Sequence, residues 1–252
     1  MTPPTFSIIT VTYNASRWLE ETVLSILNQS YPHIEYLIID GGSTDGTVDL
    51  IKQYAAGIAY WVSEPDKGLY DAMNKGLRKA MGDYVWFINA GDTLYSADTV
   101  QQIAGLLKKK KQCPDIIYGE TMVVDAERKA VGLRRLKAPK RLSWKSFRMG
   151  MLVCHQSFIV KRSMAPLFDL QYRYSSDFDW CIRCMKEAKT RFNTQLVLSN
   201  FLDGGVSTTQ RKSSLKERYH IMCTYYGALS TMLLHLWFAM RFYTAKWFKG
   251  RV

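Results

Sequence analysis

Four times within its first ninety residues the chain passes from a short apolar run to helically spaced apolar residues, or ends such a run at a glycine turn. No other feature limits its fold as much. Phe6–Thr12 (FSIITVT) is followed by Leu19, Val23, Ile26 and Leu27, spaced i, i+4, i+7, i+8, which predicts an amphipathic helix. Ile34–Ile39 (IEYLII) halts at Asp40-Gly41-Gly42, and Val48, Ile51 and Ala55 continue as a helix behind Thr47. Ile58–Val62 precedes a third helical face of Leu69, Met73, Leu77 and Ala80, stopped at Gly82, and Tyr84–Ile88 is a fourth strand. Runs this apolar suit strands buried on both faces, and strand–helix alternation builds a mostly parallel, doubly wound sheet. Ligands of such sheets sit beyond the carboxyl ends of the strands, where Asp40 and Asp92 fall.

The pattern loosens after a helix predicted over 96–111, whose four terminal lysines suit a solvated carboxyl end. Short strands are expected at Asp115–Tyr118, Thr121–Val124 and Lys129–Leu133, followed by the basic loops Arg134-Arg135-Leu136-Lys137 and Lys140-Arg141, a half expected to receive a second substrate. Phe178, Cys181, Ile182 and Met185 form one more helical face, opened by Asp177. Without a repeat or low-complexity linker, residues 1–210 are expected to form one domain and 211–252 a C-terminal helical appendage.

Charge narrows the partners. Thirty-four Lys and Arg against 22 Asp and Glu give +12, which favours something carrying phosphate, and 47% hydrophobic content excludes a disordered chain. A nucleic-acid-binding module would interleave basic residues on one face and has no need of carboxylates at strand ends, so no nucleic-acid partner is expected. Five cysteines, an odd number, and an opening Met1-Thr2-Pro3-Pro4 that leads straight into a strand predict a reducing cytoplasm. Cys181 and Cys184 stand one helical turn apart, where packing outweighs metal or redox use.

The turn at "LIIDGGSTDGT" (37–47) invites two phosphate-binding readings, and both fail. A P-loop requires Lys where Thr47 stands, and a dinucleotide fingerprint requires G-x-G-x-x-G after the first strand. What remains is Asp40 at a strand end, placed to accept hydrogen bonds from a base or ribose. Asp45 better suits a helix-capping role.

Taken in order, Thr12-Tyr13-Asn14, "IIDGGSTDGT", "SEPDKGLYDAMNKGL" (63–77), "INAGD" (88–92), "CHQSF" (154–158), "SSDFDW" (175–180) and "GGVS" (204–207) resemble glycosyltransferase family 2 enzymes of the GT-A fold. The likeness extends over about 200 residues and points to the bacterial polysaccharide, O-antigen and colanic-acid-type subgroup. It implies a Rossmann-like central sheet flanked by helices. It also implies an inverting, metal-dependent hexosyltransferase that moves a sugar from a nucleotide-sugar, UDP by default, to a lipid-linked (polyprenyl diphosphate) saccharide in cell-surface polysaccharide synthesis. By the same resemblance Thr12, Tyr13, Asp40, Asp66, Asp71 and Asn89 would bind the nucleotide-sugar, with Tyr13 near the base and Asp40 upon it. Asp92 would hold Mg²⁺ or Mn²⁺, a hard ion that takes oxygen ligands and stabilises charge growing on a departing diphosphate. Asp177 would be the catalytic base, with Asp179 its rival and Ser175 or Ser176 able to supply an N-cap. His155, Gln156 and Gly205 would contact acceptor or diphosphate. Where the wider family carries two or three aspartates, this chain has Asn89-Ala90-Gly91-Asp92. A nucleotidyltransferase is the enzymatic alternative, opposed by the lack of a Gly-rich basic loop after strand one.

Twenty-two residues between Arg218 and Arg241 carry no Lys, Arg, Asp or Glu, a length that meets the minimum for a membrane-spanning helix. His220, Thr224, Ser230, Thr231 and His235 dilute it, while Met222, Tyr225, Leu229, Leu233, Leu236 and Met240 mark one stripe. The pattern predicts a helix on an anionic membrane surface, with Lys246, Trp247, Phe248, Lys249 and Arg251 at the headgroups, and hence a peripheral enzyme on the inner face of the cell membrane. Packing on the domain or a partner, and spanning, are the other outcomes.

Overall fold

The computed structural model describes residues 2–204 and 210–249, with side chains as far as residue 240. Strands β1 (Phe6–Thr12), β2 (Ile34–Asp40), β3 (Tyr60–Ser63) and β4 (Tyr84–Phe87) pair in parallel in the order β3-β2-β1-β4. Helices α1 (Ser16–Leu27), α2 (Thr47–Gln53) and α3 (Leu69–Lys79) are their crossovers. Every residue of β1 and β4 is buried, as two-sided coverage requires. Alternation along β1 sends Phe6 and Ile8 to one core, shared with Leu19, Val23 and Ile51 of α1 and α2, and Ile9 and Val11 to the other, shared with Tyr70 and Met73 of α3.

The sheet continues with β5 (Thr93–Leu94), β6 (Ile116–Val124), β7 (Ala130–Leu133), β8 (Phe158–Lys161) and β9 (Arg191–Leu202). The full order is β3-β2-β1-β4-β8-β6-β9-β5, with β7 on β6. β8 runs antiparallel to β4 and β6, while β6 and β9 are parallel, so this half is mixed. Helix α4 (Thr99–Lys108) covers the core of Phe6 and Ile8, and α5 (Ser176–Glu187) the core of Ile9 and Val11. The GT-A-like arrangement expected from the sequence is what forms.

Three local expectations change. The two strands predicted at 115–118 and 121–124 are one, because Gly119 is not a turn: a Cβ there would lie 2.5 Å from the Leu196 carbonyl oxygen of the neighbouring strand. The third strand begins at Tyr60 rather than Ile58, after a 3-10 turn over Ala55–Gly57. β8 and β9, unassigned from sequence, draw their stability from pairing in the mixed half.

The C-terminal segment forms two helices, α6 (Arg211–Tyr226) and α7 (Ala228–Lys249). Gly227 separates them with a backbone φ of 83°, a conformation glycine adopts without steric cost. The break divides the predicted stripe: Met222 and Tyr225 pack on the core containing α5, whereas Leu229, Leu233, Leu236 and Met240 are exposed. Among the described residues no helix is long and apolar enough to cross a membrane. Among the described residues no two cysteines form a disulfide, and Cys181 and Cys184 are buried in α5 with thiols pushed up in pKa by burial, the packing role expected of them.

Candidate active site

Register aligns the carboxyl ends of the first strands, pairing Thr12 with Asp40 and Asp40 with Ser63. Asp40 is fully buried, and its carboxylate accepts hydrogen bonds from the N–H groups of Gly42 (3.0 Å) and Ser43 (2.8 Å) and the hydroxyls of Ser43 (2.5 Å) and Ser63 (2.7 Å). It therefore braces the Gly-rich turn from beneath. Asn14 locks that turn to the end of β1, its Oδ1 accepting from the Thr44 N–H and its own N–H donating to the Ser43 hydroxyl. Gly41 is small for a reason, since a Cβ there would meet the Asp66 carboxylate at 2.5 Å and the Tyr13 ring at 3.3 Å. Asp45, as expected, accepts from Thr47 at the start of α2 and from the Ser16 N–H, hydrogen bonds that hold its carboxyl at about 2.

Above these turns opens a cavity of about 780 Å³. Its lining includes Thr12, Tyr13, Asp66, Asn89, Asp92, His155, Gln156 and Asp177. Eight of the predicted site residues thus share one space. Asp40 and Asp71 do not line it: Asp40 is spent on the turn, and the Asp71 carboxylate accepts the Lys67 N–H of its own loop. Gly205 lies outside the described residues. Tyr13 presents an exposed ring, 64% accessible, available for stacking.

Asp92 ends the apolar run at 85–88 in a tight turn, its N–H donating to the Asn89 carbonyl. Thr22 of α1 pins this turn, its hydroxyl donating to the Asp92 carbonyl (2.7 Å) and accepting from the Gly91 N–H (3.0 Å). The Asp92 side chain is 5% exposed and accepts from the Gln156 amide (2.7 Å) and the Leu202 N–H (3.0 Å). Burial nonetheless raises its carboxyl to about 7, against the lowering effect of those bonds and of the Arg128 guanidinium. Gln156 is thus a holder of Asp92 as well as a wall of the cavity. Arg128, which sequence reading passed over, pairs with Glu21, donates to the Gly91 carbonyl and lies over the Trp18 ring.

Among the described residues no three His, Cys, Asp or Glu side chains gather into a metal cluster. On the cavity that Asp92 lines, however, Asn89 Oδ1 and Thr12 Oγ1 are buried oxygens without a hydrogen-bond partner. Hard oxygen donors around one carboxylate fit an ion of the Mg²⁺ or Mn²⁺ type that completes its shell with substrate phosphate and water.

Asp177 sits half-buried in the first turn of α5. Its Oδ1 accepts from the Tyr70 hydroxyl (3.2 Å), whose pKa burial and the Asp177 charge push far up, so the tyrosine stays a donor. Asp179 points elsewhere: it is buried, paired with Arg183 at 2.7 Å and accepting from the Tyr225 hydroxyl at 2.7 Å. Neither Ser175 nor Ser176 caps the helix with its side chain, because their hydroxyls bond Ser214 and the Asp169 carbonyl. Glu217 of α6 instead holds the loop before the helix, its carboxylate accepting the N–H groups of Arg173 (2.9 Å), Tyr174 (2.8 Å) and Ser175 (2.9 Å). Trp180, stacked on Phe168 at 4.9 Å, anchors the same helix in the core. Replacing Glu217 by alanine leaves three backbone donors without their acceptor. The expected result is a kcat lower by about 10–10²-fold with nucleotide affinity kept, as a misplaced base predicts; an unaltered kcat removes Glu217 from this role.

His155 is buried against the rings of Phe87 (5.2 Å), Trp180 (5.5 Å) and Phe168 (5.7 Å). Burial lowers its imidazole to about 4, so it is neutral at physiological pH, and its Nε2 has no partner. Sequence reading missed Tyr70, Glu217, Arg173 and Arg218, which stand far from Asp177 along the chain or carry no motif.

Comparison with known proteins agrees with this arrangement. Residues 7–166 match the family model described as Glycosyl transferase family 2. An uncharacterized glycosyltransferase of Mycobacterium tuberculosis is 34% identical over 217 residues, covering 84% of this chain and 80% of the relative. A PGL/p-HBAD biosynthesis glycosyltransferase of Mycobacterium bovis is 32% identical over 217 residues, covering 83% and 81%. Among solved structures, S. aureus TarS 1-349 in complex with UDP-GlcNAc superposes with a TM-score of 0.70 at 16% identity, covering 86% of this chain and 64% of that one. The mannosyltransferase PcManGT of Pyrobaculum calidifontis, in complex with GDP-Man and Mn²⁺, gives 0.66 at 18% identity, covering 92% and 70%.

Proposed function

The chain belongs to glycosyl transferase family 2, and from that premise we propose that it moves one sugar, with inversion, from a nucleotide-sugar to a lipid-linked saccharide. The observation that carries the proposal is the shared cavity of Asp92 and Asp177, one residue buried and the other half-buried. Tyr13 stacks on the base, and Asp66, on the same cavity, contacts the sugar nucleotide. Asp40 acts through the turn it braces, and Asp71 through the loop it closes.

Asp92, Asn89 and Thr12 would hold Mg²⁺ or Mn²⁺, which when bound would stabilise charge growing on the leaving diphosphate. Gln156 and the Leu202 N–H keep the Asp92 carboxylate aimed. Asp177 accepts the proton of the acceptor hydroxyl as it attacks the anomeric carbon from the face opposite the diphosphate, while the Tyr70 hydroxyl fixes the carboxylate rotamer. UDP is the proposed nucleotide; UDP-GlcNAc and GDP-Man, bound by TarS and PcManGT, mark the range to be tested. The decisive assay offers a panel of UDP-, GDP- and dTDP-sugars with Mn²⁺, Mg²⁺ or chelator and scores transfer to a synthetic polyprenyl-diphosphate sugar. Turnover undiminished by chelator removes the metal, and a retained anomeric configuration removes the direct displacement.

The acceptor's lipid brings the enzyme to the inner membrane surface. Supporting this, α7 exposes Leu229, Met232, Leu233, Leu236, Trp237 and Met240 at helical spacing, an apolar face followed in sequence by Lys246, Lys249 and Arg251. Leu233→Glu with Leu236→Glu is expected to lower binding to anionic vesicles by about tenfold or more, the loss of two buried leucines in the interface. Equal sedimentation of variant and wild type with vesicles refutes the surface.

A further inference from the structure

Three arginines of the cavity have no place in the steps above. Arg134 follows β7, Arg173 lies in the loop before α5 and Arg218 is on α6, so three segments remote in sequence each bring a guanidinium to the cavity that holds Asp177. None is neutralised by a carboxylate: among the described residues the ion pairs are Lys52–Asp49, Lys75–Glu64, Arg128–Glu21 and Arg183–Asp179.

Their partners are few. Arg134 donates to the Met151 carbonyl at 2.5 Å, which fixes its fork without cancelling its charge. Arg218 lies 5.8 Å from the Phe178 ring centroid, with a buried Nε that has no hydrogen-bond partner. Arg173 is exposed, and its backbone is tied by Glu217 to the turn that presents Asp177. Unpaired cations in a concave wall concentrate an anion, and the planar guanidinium matches phosphate oxygens two at a time.

We infer that Arg134, Arg173 and Arg218 form a second anion subsite that holds the phosphate or diphosphate of the acceptor, beside the hydroxyl that Asp177 deprotonates. The inference rests on the proposed function, since it takes the Asp92 region of the cavity as the seat of the donor's diphosphate. It adds a selection rule. A saccharide without phosphate near its reacting sugar forfeits the charge-assisted contacts, so the enzyme discriminates on the acceptor's linkage to its carrier as well as on its sugar.

The test uses farnesyl diphosphate as the anionic probe and farnesol as its uncharged counterpart, titrated calorimetrically into the full-length protein in metal-free buffer with UDP saturating. Farnesyl diphosphate is expected to bind with UDP present and to weaken with rising salt. Arg173→Ala is expected to weaken it about tenfold, and Arg173→Ala with Arg218→Ala further, the loss typical of charge-assisted hydrogen bonds. Farnesol affinity should follow neither substitution. Because Arg173 is exposed, its replacement keeps the fold and decides the matter even if the double variant does not fold. One-for-one displacement of farnesyl diphosphate by UDP assigns the arginines to the donor and overturns the inference, as does equal affinity in wild type and Arg173→Ala. Failure of UDP itself to bind once Mn²⁺ is restored refutes the proposed donor instead, while the effect of Arg173→Ala on the probe still decides this subsite.

Discussion

Replacing Asp92 by asparagine is expected to lower sugar transfer by about 10²-fold or more, the scale of losing several kcal/mol of leaving-group stabilisation. The same substitution should reshape the stability of the metal-free protein with pH, for a reason visible in two buried groups. Burial raises the Asp92 carboxyl from 3.8 to about 7, so the folded protein keeps a proton that the unfolded chain has released. That contribution is fully present below pH 3.8 and is lost as pH rises through 7. Burial lowers the His155 imidazole from 6.5 to about 4, so its contribution is present above pH 6.5 and lost as pH falls through 4. Each amounts to roughly 3–4 kcal/mol over its window, and the two oppose one another. Wild-type stability is therefore expected to change little across this range, whereas Asp92→Asn leaves His155 unopposed and gains on the order of 3 kcal/mol from about pH 4 to about pH 7. Urea unfolding of the chelated proteins at stepped pH measures the difference directly. Parallel profiles for the two proteins contradict a buried, titrating Asp92.

Asp177→Asn is expected to lower kcat by about 10²–10⁴-fold, the range for a lost general base, with UDP affinity preserved because the metal-side contacts are intact. The neighbouring change Asp179→Asn makes the contrast. It breaks the pairing with Arg183 and the hydrogen bond from Tyr225, so its cost falls on stability, about 1–3 kcal/mol. Steady-state kinetics alongside thermal unfolding separates the two. A larger loss of kcat in Asp179→Asn than in Asp177→Asn reverses the assignment of the base.

Much of this could be read from the residue order. β1 matches its expected bounds residue for residue, and α3 carries the predicted Met73 and Leu77 face, because short apolar runs and 3.6-residue spacing are local signals. Asp92 and Asp177 were legible as candidates because each ends or opens an element at a recognisable motif. Asp40 was legible as important but not as saturated, since its four hydrogen-bond donors come partly from Ser63, 23 residues away. Glu217 was invisible: nothing in "KERY" announces three backbone N–H groups from the loop before α5.

Hydrophobic periodicity and turn residues act between near neighbours, so the chain's order alone set the parallel strand–helix half of the sheet and put acidic side chains at strand ends. Only the packed structure decided which acids face a common cavity and which of Asp177 and Asp179 is free to act. It alone showed that α6 reaches back to hold the loop before α5. Those outcomes depend on hydrogen bonds and burial between segments 42 to 110 residues apart, such as Tyr70 with Asp177 and Leu202 with Asp92, and such pairings leave no local trace in sequence.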